Sequence, residues 1–201
     1  MKRVVSISLG SSQRDHKVEI ELLGKKVSIE RIGTDGDINK AIKLIKDLDG
    51  QVASFGLGGI DLYIYAGSKR YTIRDAAKIA KAAKKTPVVD GSGLKNTLER
   101  KVITYLQGTE IDFRNIPVLM VCGVDRFGMA EALTENGAKL TCGDLIFALG
   151  IPIPLRSLGK LNLLAKIIAP IITQLPFKYL YPTGDKQNSI NPQYNKYYAE
   201  A

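Results

Sequence analysis

The stretch with the clearest chemical potential is 88–100, in which a short apolar run ends at Asp90 and leads through Gly91-Ser92-Gly93 into a periodic helix. A strand that turns through glycines into a helix presents free backbone N–H groups and the positive end of the helix dipole to an anion. Lys95 would add a charged donor in the first helical turn. The spacing therefore predicts an anion-binding loop at Gly91, Ser92 and Gly93, with Asn96 and Thr97 as further polar candidates.

A second glycine-rich stretch, Gly56-Leu57-Gly58-Gly59, precedes Asp61. The dinucleotide-binding fingerprint requires a strand, glycines and then a helix. Here a strand-like run, 62–66, follows the glycines, so the pattern favours a tight, closely packed turn with Asp61 as a carboxylate facing a site. Ser11 and Ser12 follow the first predicted strand and are polar candidates for the same ligand.

The segment 117–144 has the order strand, glycine turn, helix, strand and acidic residue that is typical of half of a Rossmann unit. In that interpretation Asp144 would bind a ribose hydroxyl. Two features depart from the pattern, because the turn lacks a middle glycine and Asp125 would bring negative charge near a pyrophosphate. The alternative is a plain α/β unit whose turn contacts a polar substrate. The candidate cofactor-binding residues are Gly123, Asp125, Arg126, Gly128 and Asp144.

The remaining periodicities predict the elements that position these residues. Apolar residues alternate with serines over 4–9, and two alternating runs around Gly24 predict a β-hairpin, so we expect a small meander at the start of the chain. The helix after Asp90 is expected to bury one apolar face. The fold class predicted is α/β, with a mixed-sheet N-terminal domain, 1–107, and a partial Rossmann-like three-layer unit, 108–201, incomplete at its C-terminus. The face expected to be buried comprises Leu94, Leu98, Val102, Tyr105 and Leu106.

The apolar segment 158–175 is interrupted by Lys160, Lys166 and Pro170, which leaves it too short to cross a bilayer. It predicts a helix packed on the sheet or on another subunit, which makes 158–175 a candidate homo-oligomer surface. We therefore expect no membrane partner. The N-terminus lacks an apolar run of signal-peptide length, which predicts a cytoplasmic protein.

The 201 residues carry a formal net charge of +9. The lysines are scattered and no aromatic residues interleave them, so nucleic acid is not the expected partner, and a small acidic or phosphorylated ligand fits the basic charge better. Cys122 and Cys142 are the only cysteines and His16 is the only histidine. This composition predicts no metal site and no histidine-dependent triad.

Four segments together resemble a bacterial family of quinate 5-dehydrogenases. The resemblance implies hydride transfer between quinate, or a related small hydroxy acid, and NAD or NADP. It also implies a catalytic lysine–carboxylate pair, for which Lys95 with Asp61 or Asp90 are the candidates, since such a pair can relay a proton from an alcohol. The four segments are 8–12, 55–61, 90–100 and 123–130.

Two functions are therefore expected from the sequence. The first is an NAD(P)-dependent oxidoreductase acting on quinate or a related hydroxy acid. The alternative is a non-enzymatic or regulatory module that binds a phosphorylated metabolite or nucleotide at Gly91-Ser92-Gly93.

Overall fold

The structure, a computed structural model, describes residues 1–67 and 69–180 and divides into two compact units. Unit 1 contains Met1–Tyr63, Thr72–Ser92 and the described residues from Ile172 onward. Unit 2 contains Ile64–Tyr71 and Gly93–Ile171. The chain therefore passes between the units more than once. The part of the predicted second domain beyond residue 180 lies outside the described residues.

The helices and strands are named in chain order. They are β1 (Lys2–Ser8), β2 (His16–Leu22), β3 (Lys25–Gly33), α1 (Ile38–Leu48), β4 (Ser54–Gly58), β5 (Tyr63–Ala66), β6 (Lys69–Thr72), α2 (Arg74–Ala80), β7 (Val88–Val89), α3 (Ser92–Thr109), β8 (Pro117–Met120), α4 (Phe127–Glu135), β9 (Lys139–Cys142), α5 (Leu158–Ile172) and α6 (Phe177–Leu180). A 3-10 turn at Ser12–Arg14 and a π-helical turn at Asp144–Ala148 complete the described elements.

Unit 1 is built on a five-stranded sheet in the order β2-β3-β1-β4-β7. Strand β1 runs parallel to both β3 and β4, and β4 runs parallel to β7. Only β2 is antiparallel, as the outer arm of the hairpin with β3. This mixed sheet with helices confirms the α/β class and the mixed N-terminal sheet. The expected meander is wrong, because β1 pairs with β3 and not with β2; alternation identifies strands but does not determine their order.

The core of unit 1 forms on one face of this sheet. Val5, Ile7 and Phe55 are at most 2% exposed and lie on the same face, since Val5 is the register partner of Phe55. Helix α1 begins where the Asp37 side chain accepts a hydrogen bond from the Lys40 N–H at 2.9 Å. Its buried residues, Ala41 and Ile45, are four apart and therefore share one face.

Asp49 holds the segment between α2 and β7 against the end of α1. The backbone N–H groups of Lys84, Lys85 and Thr86 donate to its carboxylate at 2.7–3.1 Å. Partial desolvation raises the pKa of Asp49, but the three N–H donors outweigh it and lower the pKa to about 2. These bonds favour the charged carboxylate, which the folded state therefore stabilises.

Acidification is expected to remove the contribution of Asp49 to stability. Because the pKa is lower in the folded state, the contribution is present above the unfolded value of about 4 and is lost as the pH falls from about 4 to about 2. Thermal unfolding of the wild type and of Asp49→Asn between pH 7 and pH 2 measures this. The wild type should have a higher Tm than Asp49→Asn at pH 7, and this difference should disappear between about pH 4 and pH 2. A difference that stays constant with pH would contradict the stabilising role of the charged Asp49.

Unit 2 contains a parallel β8–α4–β9 unit, whose strands pair Val118 with Leu140 and Met120 with Cys142. Its core surrounds this unit and includes Phe127, Ala130 and Leu161, all at most 4% exposed. The predicted boundary at residue 107 falls inside α3, whereas the chain passes from unit 1 to unit 2 between Ser92 and Gly93. The described strands of this sheet are two, β8 and β9.

The apolar face of α3 is not buried as predicted. Leu94, Leu98, Val102 and Tyr105 are 43–64% exposed, and Leu106 is half-buried against the core. Periodicity identifies which residues share a helix face, but it does not determine which face is covered. Instead α3 buries Ile103, which is 6% exposed.

Candidate functional site

The candidate site lies at the carboxyl edge of the unit 1 sheet, which we define as the loops that follow β1, β3, β4 and β7. Because these strands are parallel, their carboxyl ends meet at one edge. The chain leaves β1 toward β3 on one side and leaves β4 toward β7 on the other. Neighbouring strands whose connections diverge in this way open a crevice, which is where open α/β sheets bind ligands.

Several residues predicted from the sequence meet at this edge. The loop after β1 carries Ser11 and Ser12, the loop after β4 carries Asp61, and the loop after β7 carries Asp90, Gly91 and Ser92. The structure thus brings together residues that are up to 81 positions apart in the chain.

The loops after β1 and β4 approach each other backbone to backbone. Gly59 has a φ of +68°, and a Cβ placed on it would lie 2.8 Å from the Gly10 backbone nitrogen. A Cβ on Gly58 would lie 3.0 Å from the Ser8 Oγ. These glycines are therefore required by contact between two protein loops.

Two arginines converge above Gly10. A Cβ placed on Gly10 would lie 2.9 Å from Nη2 of Arg14 and 3.0 Å from Nη2 of Arg31. The Arg31 guanidinium also donates to the Ser8 Oγ at 2.9 Å, to the Ser11 carbonyl at 2.9 Å and to Asp15 at 2.7 Å, so its position is fixed. Arg14 is exposed and also has a partner of its own. Two guanidinium groups that approach one point, one of them fixed, match the geometry of a phosphate or carboxylate.

Carboxylates hold the loops around these arginines. Asp15 pairs with Arg31 and accepts the Gly33 N–H at 2.6 Å. Asp35 accepts the Ser12 N–H at 2.7 Å, and this hydrogen bond lowers the pKa of Asp35. Both acids therefore anchor the β1 loop through these hydrogen bonds.

The loop at Gly91-Ser92-Gly93 already contains an anion, the carboxylate of Asp90. It accepts the Ser92 N–H at 3.0 Å and the N–H groups of Leu62 and Tyr63 at 2.6 and 3.3 Å. Burial raises the pKa of Asp90, but these donors outweigh it and the pKa is lowered. Asp90 therefore uses the first helical N–H that an incoming anion was expected to bind. The space beside Gly91 and Gly93 is open, with no atom within 4 Å of a Cβ placed on either.

The other residues predicted for this loop are engaged within unit 2. Lys95 Nζ lies 2.6 Å from Asp125 Oδ1, whereas the carboxylates proposed as its partners, Asp61 and Asp90, belong to unit 1. Thr97 donates to the Gly93 carbonyl at 2.7 Å, and Asn96 accepts from Arg100 at 3.2 Å. A Lys95–carboxylate relay stays a prediction.

The predicted cofactor residues meet around the loop between β8 and α4, where protein atoms fill the space beside the glycines. A Cβ on Gly123 would lie 2.7 Å from Cys142 Sγ, and a Cβ on Gly128 would lie 2.8 Å from the Lys95 carbonyl oxygen. Arg126 pairs with Glu99. These glycines permit close packing of protein, so the contacts around them do not favour a bound pyrophosphate. The role of NAD or NADP stays a prediction.

The buried carboxylate of Asp144 holds the loop between β8 and α4 in place. Its carboxylate is 6% exposed and accepts the N–H groups of Gly123 and Val124, both at 2.9 Å. The Cys122 thiol lies 3.6 Å away from it. Although Cys122 is exposed as a residue, desolvation of its sulfur and then the Asp144 charge raise the pKa of the thiol to about 12. Cys122 is therefore protonated at neutral pH and is not an activated nucleophile.

The sequence interpretation missed Arg14 and Arg31. Arg31 is the register partner of both Ser6 and His16, so the hairpin places it on the β1 face that ends at Ser8. Arg14 follows Gly10-Ser11-Ser12 by two positions. The hairpin register was the available signal, but the expected meander put β3 beside the wrong strand. Across residues 1–67 and 69–180, no group of three or more His, Cys, Asp or Glu side chains could hold a metal ion.

Comparison with protein families matched two models to the chain. Residues 3–90 match DUF8753 and residues 93–201 match DUF8754, each described as a domain of unknown function. The resemblance to quinate 5-dehydrogenases is wrong, since no quinate dehydrogenase family matches. Short loops of glycine, serine and aspartate occur at strand ends in many α/β proteins, and those at Gly123 and Gly128 serve packing here. No curated protein matches the chain.

Proposed function

The chain belongs to the DUF8754 family, and from the geometry of its first unit we propose that it is a binding module for a small phosphorylated metabolite at the carboxyl edge of the unit 1 sheet. The convergence of Arg14 and Arg31 above Gly10 carries the proposal. It refines the expected phosphate-binding function by moving the anion from Gly91-Ser92-Gly93 to the loop after β1.

Two further observations support this location. The crevice between β1 and β4 lies where the strand connections diverge, which is the usual ligand position in such sheets. Arg31 is preorganised by Ser8, Ser11 and Asp15, so less conformational freedom is lost when it binds. A phosphate monoester carries close to two charges at neutral pH and accepts from two guanidinium groups at once.

The module interpretation requires no covalent chemistry at this edge. The roles of the residues are to bind and orient: Arg14 and Arg31 hold the phosphate, and Ser11 and Ser12, which follow Gly10 directly, supply neutral hydroxyl donors. Asp61, on the neighbouring loop, would accept from a hydroxyl of the organic part. Asp90 would hold the loop after β7 in place through its hydrogen bonds to backbone N–H groups.

Ligand-induced stabilisation tests the proposal. Thermal unfolding of the full chain is measured with orthophosphate, ribose 5-phosphate and AMP as probes. A probe at 100 times its Kd stabilises by about 2.7 kcal/mol, so Tm should rise with the logarithm of probe concentration. Arg14→Met should abolish most of this rise with at most a small change in the Tm of the free protein, because interactions of exposed charged side chains contribute little to stability.

Arg156→Met is the matched control, since Arg156 is an exposed arginine of unit 2 and its loss changes the net charge equally. It should keep the full rise in Tm. Arg14→Lys should fall between the two, because lysine keeps the charge but loses the planar fork. An unchanged rise in Arg14→Met, or an equal loss in both variants, would contradict the proposed site.

A further inference from the structure

Helix α5 of unit 2 has an exposed apolar face. Leu163, Ile167 and Ile171 are 61%, 60% and 63% exposed and lie four residues apart, on one face of the helix. The opposite face packs into the unit through Leu161, Ala165 and Ala169, which are at most 2% exposed. The helix is therefore anchored from behind, and its outer face is free of contact with the unit's core. Three more exposed aliphatic residues lie in the segment before α5: Leu149, Ile151 and Ile153.

The charges around this face have one sign. Residues 145–171 contain Arg156, Lys160 and Lys166 and no aspartate or glutamate. All three basic side chains are exposed. An apolar helix face flanked by lysines, with no acidic residue, is typical of helices that lie in the interface of an anionic membrane.

Helix α3 provides the contrast within the same unit. Its exposed apolar residues, Leu98 and Val102 among them, are comparable in exposure. Three of its charged residues, however, are paired with opposite charges: Lys95 with Asp125, Glu99 with Arg126 and Arg100 with Glu131. Exposed apolar surface alone therefore does not distinguish α5. Its positive charge does, because Lys160 and Lys166 form no ion pair within residues 1–67 and 69–180.

A second copy of the chain is the other candidate occupant, and it corresponds to the homo-oligomer surface expected over 158–175. A two-fold contact brings the same surface from both copies together. Lys160 and Lys166 would then meet equally basic surface with no carboxylate between 145 and 171 to pair with them. The charge therefore disfavours self-association through α5 and favours an anionic partner.

We propose that α5 and the segment before it bind the surface of an anionic lipid bilayer. The apolar residues of the outer face insert among the acyl chains near the headgroups, and the lysines contact anionic headgroups. No helix among the described residues is long and apolar enough to cross a bilayer. The expectation of no membrane partner rested on that argument about spanning, which does not bear on surface binding.

Flotation with vesicles tests this. The full chain is mixed with phosphatidylcholine vesicles and with vesicles containing 30% phosphatidylserine, at low and high salt. We expect binding only to the anionic vesicles, weakened by salt. Lys160→Gln with Lys166→Gln should weaken it about 30-fold, since each lysine near such a surface contributes roughly fivefold. Leu163→Ser with Ile167→Ser should reduce it at least as much.

The matched control is Leu98→Ser with Val102→Ser on α3, which should bind as the wild type does. Equal binding to neutral and anionic vesicles, or an equal loss in the α3 control, would overturn the proposal. A chain that does not float, but forms a dimer that Leu163→Ser with Ile167→Ser dissociates, would overturn it in favour of a second copy. Circular dichroism of each variant checks that the fold is retained.

Discussion

Replacing Gly59 with alanine is expected to lower the free energy of unfolding by about 3 kcal/mol, which is a large fraction of the stability of a small domain. Two costs combine. Gly59 has a φ of +68°, and a left-handed conformation costs a residue with a Cβ roughly 1–2 kcal/mol. The new Cβ would also lie 2.8 Å from the Gly10 nitrogen, and relieving such overpacking typically costs about 1–3 kcal/mol.

The control for this prediction is Gly91→Ala in the same unit. Gly91 has a φ of +81°, but no atom lies within 4 Å of its would-be Cβ. Its replacement should therefore cost only the backbone term, about 1 kcal/mol. Urea unfolding followed by circular dichroism measures both variants. An equal loss of unfolding free energy in the two variants would mean that the loops after β1 and β4 do not pack tightly at Gly59.

Replacing Asp144 with alanine is expected to cost about 2–6 kcal/mol of stability in unit 2. The carboxylate is buried and accepts the N–H groups of Gly123 and Val124, both at 2.9 Å. Each buried N–H that loses its acceptor costs about 1–3 kcal/mol. Glu135→Ala, an exposed carboxylate at the end of α4, should change the stability by less than about 0.5 kcal/mol.

Asp144→Asn gives a second readout through the Cys122 thiol. Desolvation and then the Asp144 charge hold the pKa of that thiol at about 12 in the wild type. The uncharged amide of Asn removes the effect of the Asp144 charge, so the pKa of the Cys122 thiol should fall. Alkylation of Cys122 by iodoacetamide at pH 8 should then become faster. Circular dichroism must show that the variant is folded at the assay temperature. Unchanged alkylation would mean that the thiol does not respond to the Asp144 charge.

Local patterns predicted the individual elements of unit 1 well. Alternation at 18–29 predicted the β2–β3 hairpin. Strand pairing could not be obtained in this way. Whether β1 lies beside β2 or β3 depends on contacts between residues distant in the chain, and the serines and valines of β1 suit either neighbour.

The site shows the same limit. The sequence identified the acidic and glycine-containing loops after β1, β4 and β7, because turn residues at strand ends are local signals. It did not identify Arg31, since its approach to Gly10 depends on the parallel pairing of β1 with β3. Nor could it indicate that Gly123 and Gly128 are packed against Cys142 and Lys95, because a glycine needed for packing and one needed for a phosphate look alike in a sequence.

Each compact unit contains segments from both of the regions that match a family, and this has a consequence for how the protein is inherited. The region that matches DUF8754 supplies Phe177, whose N–H donates at 2.9 Å to the buried carboxylate of Asp75 in the other matched region. The region that matches DUF8753 in turn supplies Gly67, which lies against Asn162 of unit 2. Each evolutionary module completes the folding unit of the other. Recombination that separated them would leave Asp75 without that donor, so we expect the two modules to be gained, lost and duplicated as a pair.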